Sequence, residues 1–160
     1  MPSQNLLTAQ KFISYFATLD ESILEPLLAE NYYHEFGPRS LNFPGPFERA
    51  GFLAHTRGLK DIMTGFPVSA KWYIESADKR QVIVHATSKT QFRESVKDDG
   101  LSAEEWEYGG EYVFFFTMDE SGEKVAQTYE FLDSQATVRL MGLIKRAKVN
   151  LETKKNHGEA

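Results

Sequence analysis

At 160 residues the chain is the size of one domain, long enough to bury a core or to enclose a cavity, and 41% hydrophobic content with 13% aromatic makes it rich in rings. A net charge of −5, with no basic stripe carrying interleaved aromatics, argues against a nucleic-acid partner. The lack of cysteine removes disulfides, thiolate metal ligands and a cysteine nucleophile, and it fits a reducing, cytoplasmic setting. The first turns carry Gln4, Asn5, Gln10 and Lys11, which is not signal-peptide chemistry. No apolar run approaches the ~20 residues that span a bilayer, so no membrane partner is expected.

Taken in chain order, Leu7, Phe12, Ile13, Phe16 and Leu19 recur at helical spacing and predict an amphipathic helix over residues 8–19. Asp20 is a candidate N-cap for a short second helix, 21–29, which Pro26 disturbs unless it falls in the first turn. Residues 31–37 read as a short strand, and 38–46 as a loop holding Pro38, Pro44 and Pro46. A third helix is expected over 47–63, carrying Phe52, Leu53, His55, Thr56, Leu59 and Met63. From residue 69 the pattern turns to strands: 71–77, 81–92, 103–118 and 124–133, separated by turn chemistry at 77–79, 97–100 and 119–122. Turns this short imply consecutive antiparallel hairpins. Residues 134–151 close the chain as a helix, with Lys145, Arg146, Lys148, Lys154 and Lys155 read as a solvated face and tail. The layout is α+β, with helices packed on one face of a curved sheet.

Chemistry concentrates in two of these strands. In 104–116, alternation puts Trp106, Tyr108, Tyr112, Phe114 and Phe116 on one face, which can fill a core or line a pocket for a bulky, mostly apolar ligand. Tyr108 and Tyr112 are about 13 Å apart by strand rise, unless Gly109-Gly110 forms a bulge or leaves space for a ligand. Glu130 lies between Tyr129 and Phe131. It either faces water or, if buried, has its pKa raised toward neutrality and suits proton transfer. Arg39, after Gly37-Pro38 at a strand end, can orient an oxygen through its planar fork or be an ordinary surface residue of a turn. His34 is the histidine most suited to a site, although His34, His55 and His85 each read first as core-edge residues. There is no H-E-x-x-H, G-x-S-x-G, G-x-G-x-x-G or Walker pattern, so neither a metal nor a cofactor is expected.

The helical first third, N-Y-Y-H-E-F-G-P-R-S-L, the long aromatic hairpin and the closing T-Y-E-F-L-D-S together resemble the NTF2-like superfamily, more narrowly its SnoaL-like members of fungal natural-product pathways. The resemblance covers roughly residues 5–145 of a single domain, leaving 146–160 as a tail. It implies a cone: a strongly curved antiparallel sheet around a pocket, three N-terminal helices closing it and a C-terminal helix, with a homodimer built on the outer sheet face. Within that superfamily the chain is most similar to the cofactor-independent isomerases that carry out semipinacol rearrangements in brevianamide-type indole alkaloid pathways. Their functional set of an Arg after the first strand, two Tyr on the long strand and a Glu on the last is matched by Arg39, Tyr108, Tyr112 and Glu130. Trp106, Phe114, Phe116 and His34 would then bind a polycyclic small-molecule substrate. Two other outcomes stay open: a cyclase or isomerase of a polyketide or meroterpenoid pathway, and a non-catalytic ligand-binding module.

Overall fold

Helix α1 (Gln4–Tyr15) opens the fold in the computed structural model, which describes residues 1–158. It starts earlier than its apolar periodicity because Ser3 caps it, the Oγ accepting from the Leu6 N–H at 3.0 Å. It ends earlier too, before Leu19, whose φ of 54° is left-handed. Asp20 caps α2 (Glu21–Leu24) by accepting from the Ser22 N–H at 2.9 Å. Pro26 confines the expected longer helix to a 3-10 turn, Glu25–Leu27, after which the backbone is extended from Leu28. Strand β1 (Leu28–Gly37) is therefore longer than its motif suggested. A 3-10 turn, Arg39–Leu41, and β2 (Phe47–Glu48) precede α3 (Arg49–Lys60). The two ends of the helix expected over 47–63 are thus strand, β2 before it and β3 (Met63–Gly65) after it.

Strands β4 (Val68–Ser76), β5 (Gln81–Phe92), β6 (Tyr108–Met118) and β7 (Val125–Leu132) form the expected antiparallel run. The seven-stranded sheet has the order β2-β1-β7-β6-β5-β3, with β4 also paired to β5. Its decisive contact is the parallel pairing of β1 with β7, which sets His34 opposite Thr128 and Phe36 opposite Glu130. Helices α1, α3 and α4 (Ser134–Asn156) cover the inner face. The outer face leaves Trp72, Ile74, Phe115 and Phe131 exposed.

Three expectations are corrected here. Strand β6 begins at Tyr108, and Trp106 belongs to the preceding turn, its N–H bonding the Ser102 carbonyl at 3.3 Å. Arg139 pins that turn by donating to the Glu105 and Glu107 carbonyls. The glycine pair makes no bulge, since β5 and β6 keep one register from Tyr108 to Thr117. Gly110 is instead where the Tyr112 phenol lies back along the strand; a Cβ there would overlap its hydroxyl. Finally, α4 runs to Asn156, and its basic residues are not all solvated. Arg146 forks onto Asp98 at 2.8 and 2.7 Å, Asn150 adds a 2.6 Å bond to the same carboxylate, and Lys154 donates to the Ser95 carbonyl.

Candidate active site

Between the inner sheet face and the helices lies a cavity of about 60 Å³, walled by aromatic and aliphatic side chains from α1, α3, α4 and the loop at Phe43. Its polar lining is sparse: Glu130 of β7, Tyr112 of β6, Tyr15 of α1, Thr90 of β5, His55 and Thr56 of α3, and Thr137 of α4. A wider cleft of about 360 Å³ adjoins it and shares Phe43, His55, Leu59 and Ile144, adding Lys145 and Lys148 of α4. The chamber is too small for a whole polycyclic molecule, since sites for such ligands run to roughly 300–1,000 Å³. A ligand of that size would need the cleft as well.

Glu130 points inward, 7% exposed, with Phe114 and Phe36 opposite it on the two flanking strands. Its carboxyl makes no hydrogen bond among the described residues. Burial pushes its pKa from 4.5 to about 8, so the group is protonated at neutral pH. His34 Nε2 lies 3.7 Å from Glu130 Oε1, within the reach of an ion pair. Burial, reinforced by the charge of His55, also holds the His34 pKa well below 6.5. Both partners therefore favour their neutral forms, and the contact is between two uncharged groups.

Tyr112 shares the cavity with Glu130 and hydrogen-bonds Ser88 Oγ at 2.8 Å. Burial, with the neighbouring Tyr108 and Glu130 adding to it, keeps its phenol un-ionised. Tyr108 is buried behind that wall, near Tyr112 and Thr137, which moderate the rise in its pKa caused by burial. Its hydroxyl and Thr137 Oγ1 nevertheless lack a hydrogen-bond partner of proper geometry. On its outer side Tyr108 lines an open polar cleft with Lys89 and Arg139.

The structure thus brings Glu130 and Tyr112 into one cavity and sets Tyr108 at its edge. It does not bring Arg39 there: that side chain is exposed on its 3-10 turn, away from the cavity lining. Phe114 and Phe116 are core, packed on Phe16 and Phe12 at 5.7 and 4.9 Å, and Trp106 packs on Phe92 at 5.4 Å. His34 lies one layer behind the lining, stacked on Phe52 at 4.1 Å. His55, expected from the sequence only as a core-edge histidine, lies among Phe36, Phe43, Phe47 and Phe52 where chamber meets cleft. Burial, then the Lys148 charge, lowers its pKa to about 4. The spacing Phe52–His55–Thr56–Leu59 on one helix face was the available signal. Ser88 carried none, because only the register places it beside Tyr112.

The open sheet with helices on its inner face is an NTF2-like fold. No family model matches the chain. Austinoid biosynthesis clusters protein H of Penicillium brasilianum is 30% identical over 133 residues, covering 81% of this chain and 82% of that protein. Among solved structures, AusH from Aspergillus nidulans superposes with a TM-score of 0.69 at 24% identity, over 84% of this chain and 88% of that one. BvnE pinacolase from Penicillium brevicompactum gives a TM-score of 0.74 at 21% identity, over 91% and 96%. The chain belongs to the family of NTF2-like fungal biosynthesis-cluster proteins that includes austinoid protein H.

Proposed function

We propose that the protein is a cofactor-independent isomerase that rearranges a polycyclic, mostly apolar natural product by proton transfer at Glu130. The observation that carries this reading is a carboxyl group with no hydrogen-bond partner among the described residues, held protonated near neutral pH by burial, facing a cavity of rings beside the Tyr112 phenol. A neutral carboxyl can donate from one oxygen while accepting at the other. A rearrangement without net proton change needs one proton taken from the substrate and one returned to it. In a semipinacol shift of a hydroxyindolenine, the hydroxyl loses its proton as the C=O forms, a substituent migrates with its electron pair to the imine carbon, and the imine nitrogen gains a proton. Atoms and electrons balance within the substrate, so the protein has only to move one proton and hold the migrating bond in line. The apolar wall excludes water, and Tyr112 is placed to donate to a developing oxygen or nitrogen charge.

The likeness to BvnE pinacolase supports the semipinacol reading. The greater identity to the austinoid-cluster relatives supports a second substrate class, a polyketide or meroterpenoid skeleton rearranged at the same carboxyl. Incubating the purified protein with a 3-hydroxyindolenine and, separately, with a meroterpenoid precursor, without added cofactor, tests both. The expected result is an isomer of unchanged mass from one of them, resolved by chromatography. Tight binding of both with no isomer from either would make the protein a carrier.

A further inference from the structure

A hydrogen-bonded chain runs behind the cavity wall, through residues that do not line the cavity. Tyr32 Oη donates to Thr128 Oγ1 at 2.8 Å and lies 2.7 Å from His34 Nδ1. A phenol has one proton, and Thr128 takes it. The short contact to His34 must then be made by an Nδ1–H donating to the Tyr32 oxygen, which fixes the tautomer and leaves a lone pair on Nε2. That nitrogen is fully buried and has no hydrogen-bond partner. Glu130 Oε1 lies 3.7 Å from it, a gap that a side-chain shift of about 1 Å closes to a hydrogen bond. Two lone pairs cannot face each other there at low cost, so a proton belongs between them.

We infer that His34 is a positioning residue for Glu130: its Nε2 lone pair holds the carboxyl proton on Oε1 and turns Oε2 toward the cavity as the proton acceptor. This rests on the reading of Glu130 as the proton-transfer group. In the relay, Oε2 takes the substrate hydroxyl proton while Oε1 hands its own to Nε2, leaving a neutral Glu130 and a transient imidazolium. Burial makes that imidazolium unfavourable, so the proton returns to Oε1 as Oε2 releases one to the second substrate atom. The count closes with no net proton change and no oxidant. The groups facing the pair are Tyr32 of β1, Thr128 of β7, Tyr112 of β6 and His55 of α3, with Lys148 of α4 beyond His55. All but Lys148 are neutral near pH 7, so the single mobile proton is shared by Glu130 and His34.

Nuclear magnetic resonance of the wild-type protein tests this without any substrate. The ¹⁵N shifts of the His34 ring should report a neutral imidazole carrying its proton on Nδ1 at pH 7. A proton on Nε2, or an imidazolium, would overturn the assignment. In His34→Gln the carboxamide can donate to a carboxylate. The ¹³C carboxyl signal of Glu130, assigned by its loss in Glu130→Gln, should then titrate lower by about one pH unit or more; unchanged titration would also overturn it. If His34→Gln does not fold, having lost the stack on Phe52, the wild-type measurement still decides. With a substrate in hand, His34→Gln should lower kcat while KM holds, because His34 does not line the cavity. The correct tautomer in a protein that isomerises nothing would leave the His34–Glu130 pairing standing and remove the relay together with the proposed function.

Discussion

Glu130→Gln should make the protein slower and more stable at once, and both effects have calculable size. The unfolded carboxyl ionises near 4.5 and the folded one near 8. Below pH 4.5 both states are protonated and the group contributes nothing. Between these values the unfolded chain gives up its proton and the folded one keeps it, so stability falls by about 1.4 kcal/mol for each pH unit climbed. By pH 7 the accumulated cost is at most about 3–4 kcal/mol, less whatever water entering the cavity recovers. Glutamine has the shape of the protonated acid and cannot ionise, so the variant is spared that cost. For a domain of this size the gain corresponds to a Tm higher by up to about 6–12 °C at pH 7, shrinking to nothing near pH 4.5. His34 and His55 act in the opposite sense. Their folded pKa values lie below 6.5, so the stability that they contribute is complete above 6.5 and is lost as pH falls, for His55 toward about 4. Comparing variant with wild type at each pH largely cancels those terms. Calorimetry from pH 4.5 to 8 measures the difference, and a chromatographic assay should show turnover reduced by about 10²–10⁴. A Tm difference that is absent at pH 7, or that does not change with pH, would refute the buried-acid argument.

Tyr112→Phe removes the 2.8 Å bond to Ser88 and should cost about 1 kcal/mol in urea unfolding, whereas Tyr108→Phe deletes a hydroxyl without a partner and should cost nothing or stabilise slightly. Turnover should persist in EDTA; loss that added divalent metal restores would show a metal site. We also propose a homodimer across the outer sheet face, where Phe115, Phe131, Trp72 and Ile74 are exposed together. Sedimentation should then give a dimer for wild type and a monomer for Phe115→Glu, and a wild-type monomer at micromolar concentration would end that proposal.

What the sequence revealed and what it hid divide along sequence separation. The β4–β7 run was readable because each hairpin is local: alternation sets the faces and short turns set the pairing. The inward placement of Tyr112 and Glu130 follows from that alternation alone. The parallel pairing of β1 and β7 is not local, and no turn announces it. Yet that pairing carries His34 and Tyr32 to the back of Glu130, so the relay was hidden although each member was visible as a residue. The misplacement of Trp106 has a different cause. Its parity matched the strand, but Ser102 and Arg139 fold that segment into a turn, and the indole reaches the core from the end of the sheet. Arg39 matched the family pattern by residue type, order and approximate spacing, none of which sets the direction of a side chain. The turn after Gly37-Pro38 carries its side chain outward.

The proposed function assigns chemistry and recognition to different parts of this molecule. Glu130 sits on β7 between two paired strands, where movement would break ladder hydrogen bonds, and the chamber around it is smaller than the sites that hold whole drug-sized ligands. Under the proposed function, the rest of a polycyclic skeleton would contact the cleft formed by the Phe43–Pro44 loop and the second half of α4, with Met141, Lys145, Lys148 and Glu152. These are loop and helix-surface positions whose substitution leaves the sheet register untouched. On that proposal, one rigid carboxyl site would serve differently shaped skeletons through changes confined to the cleft, because a fold does not by itself fix the substrate.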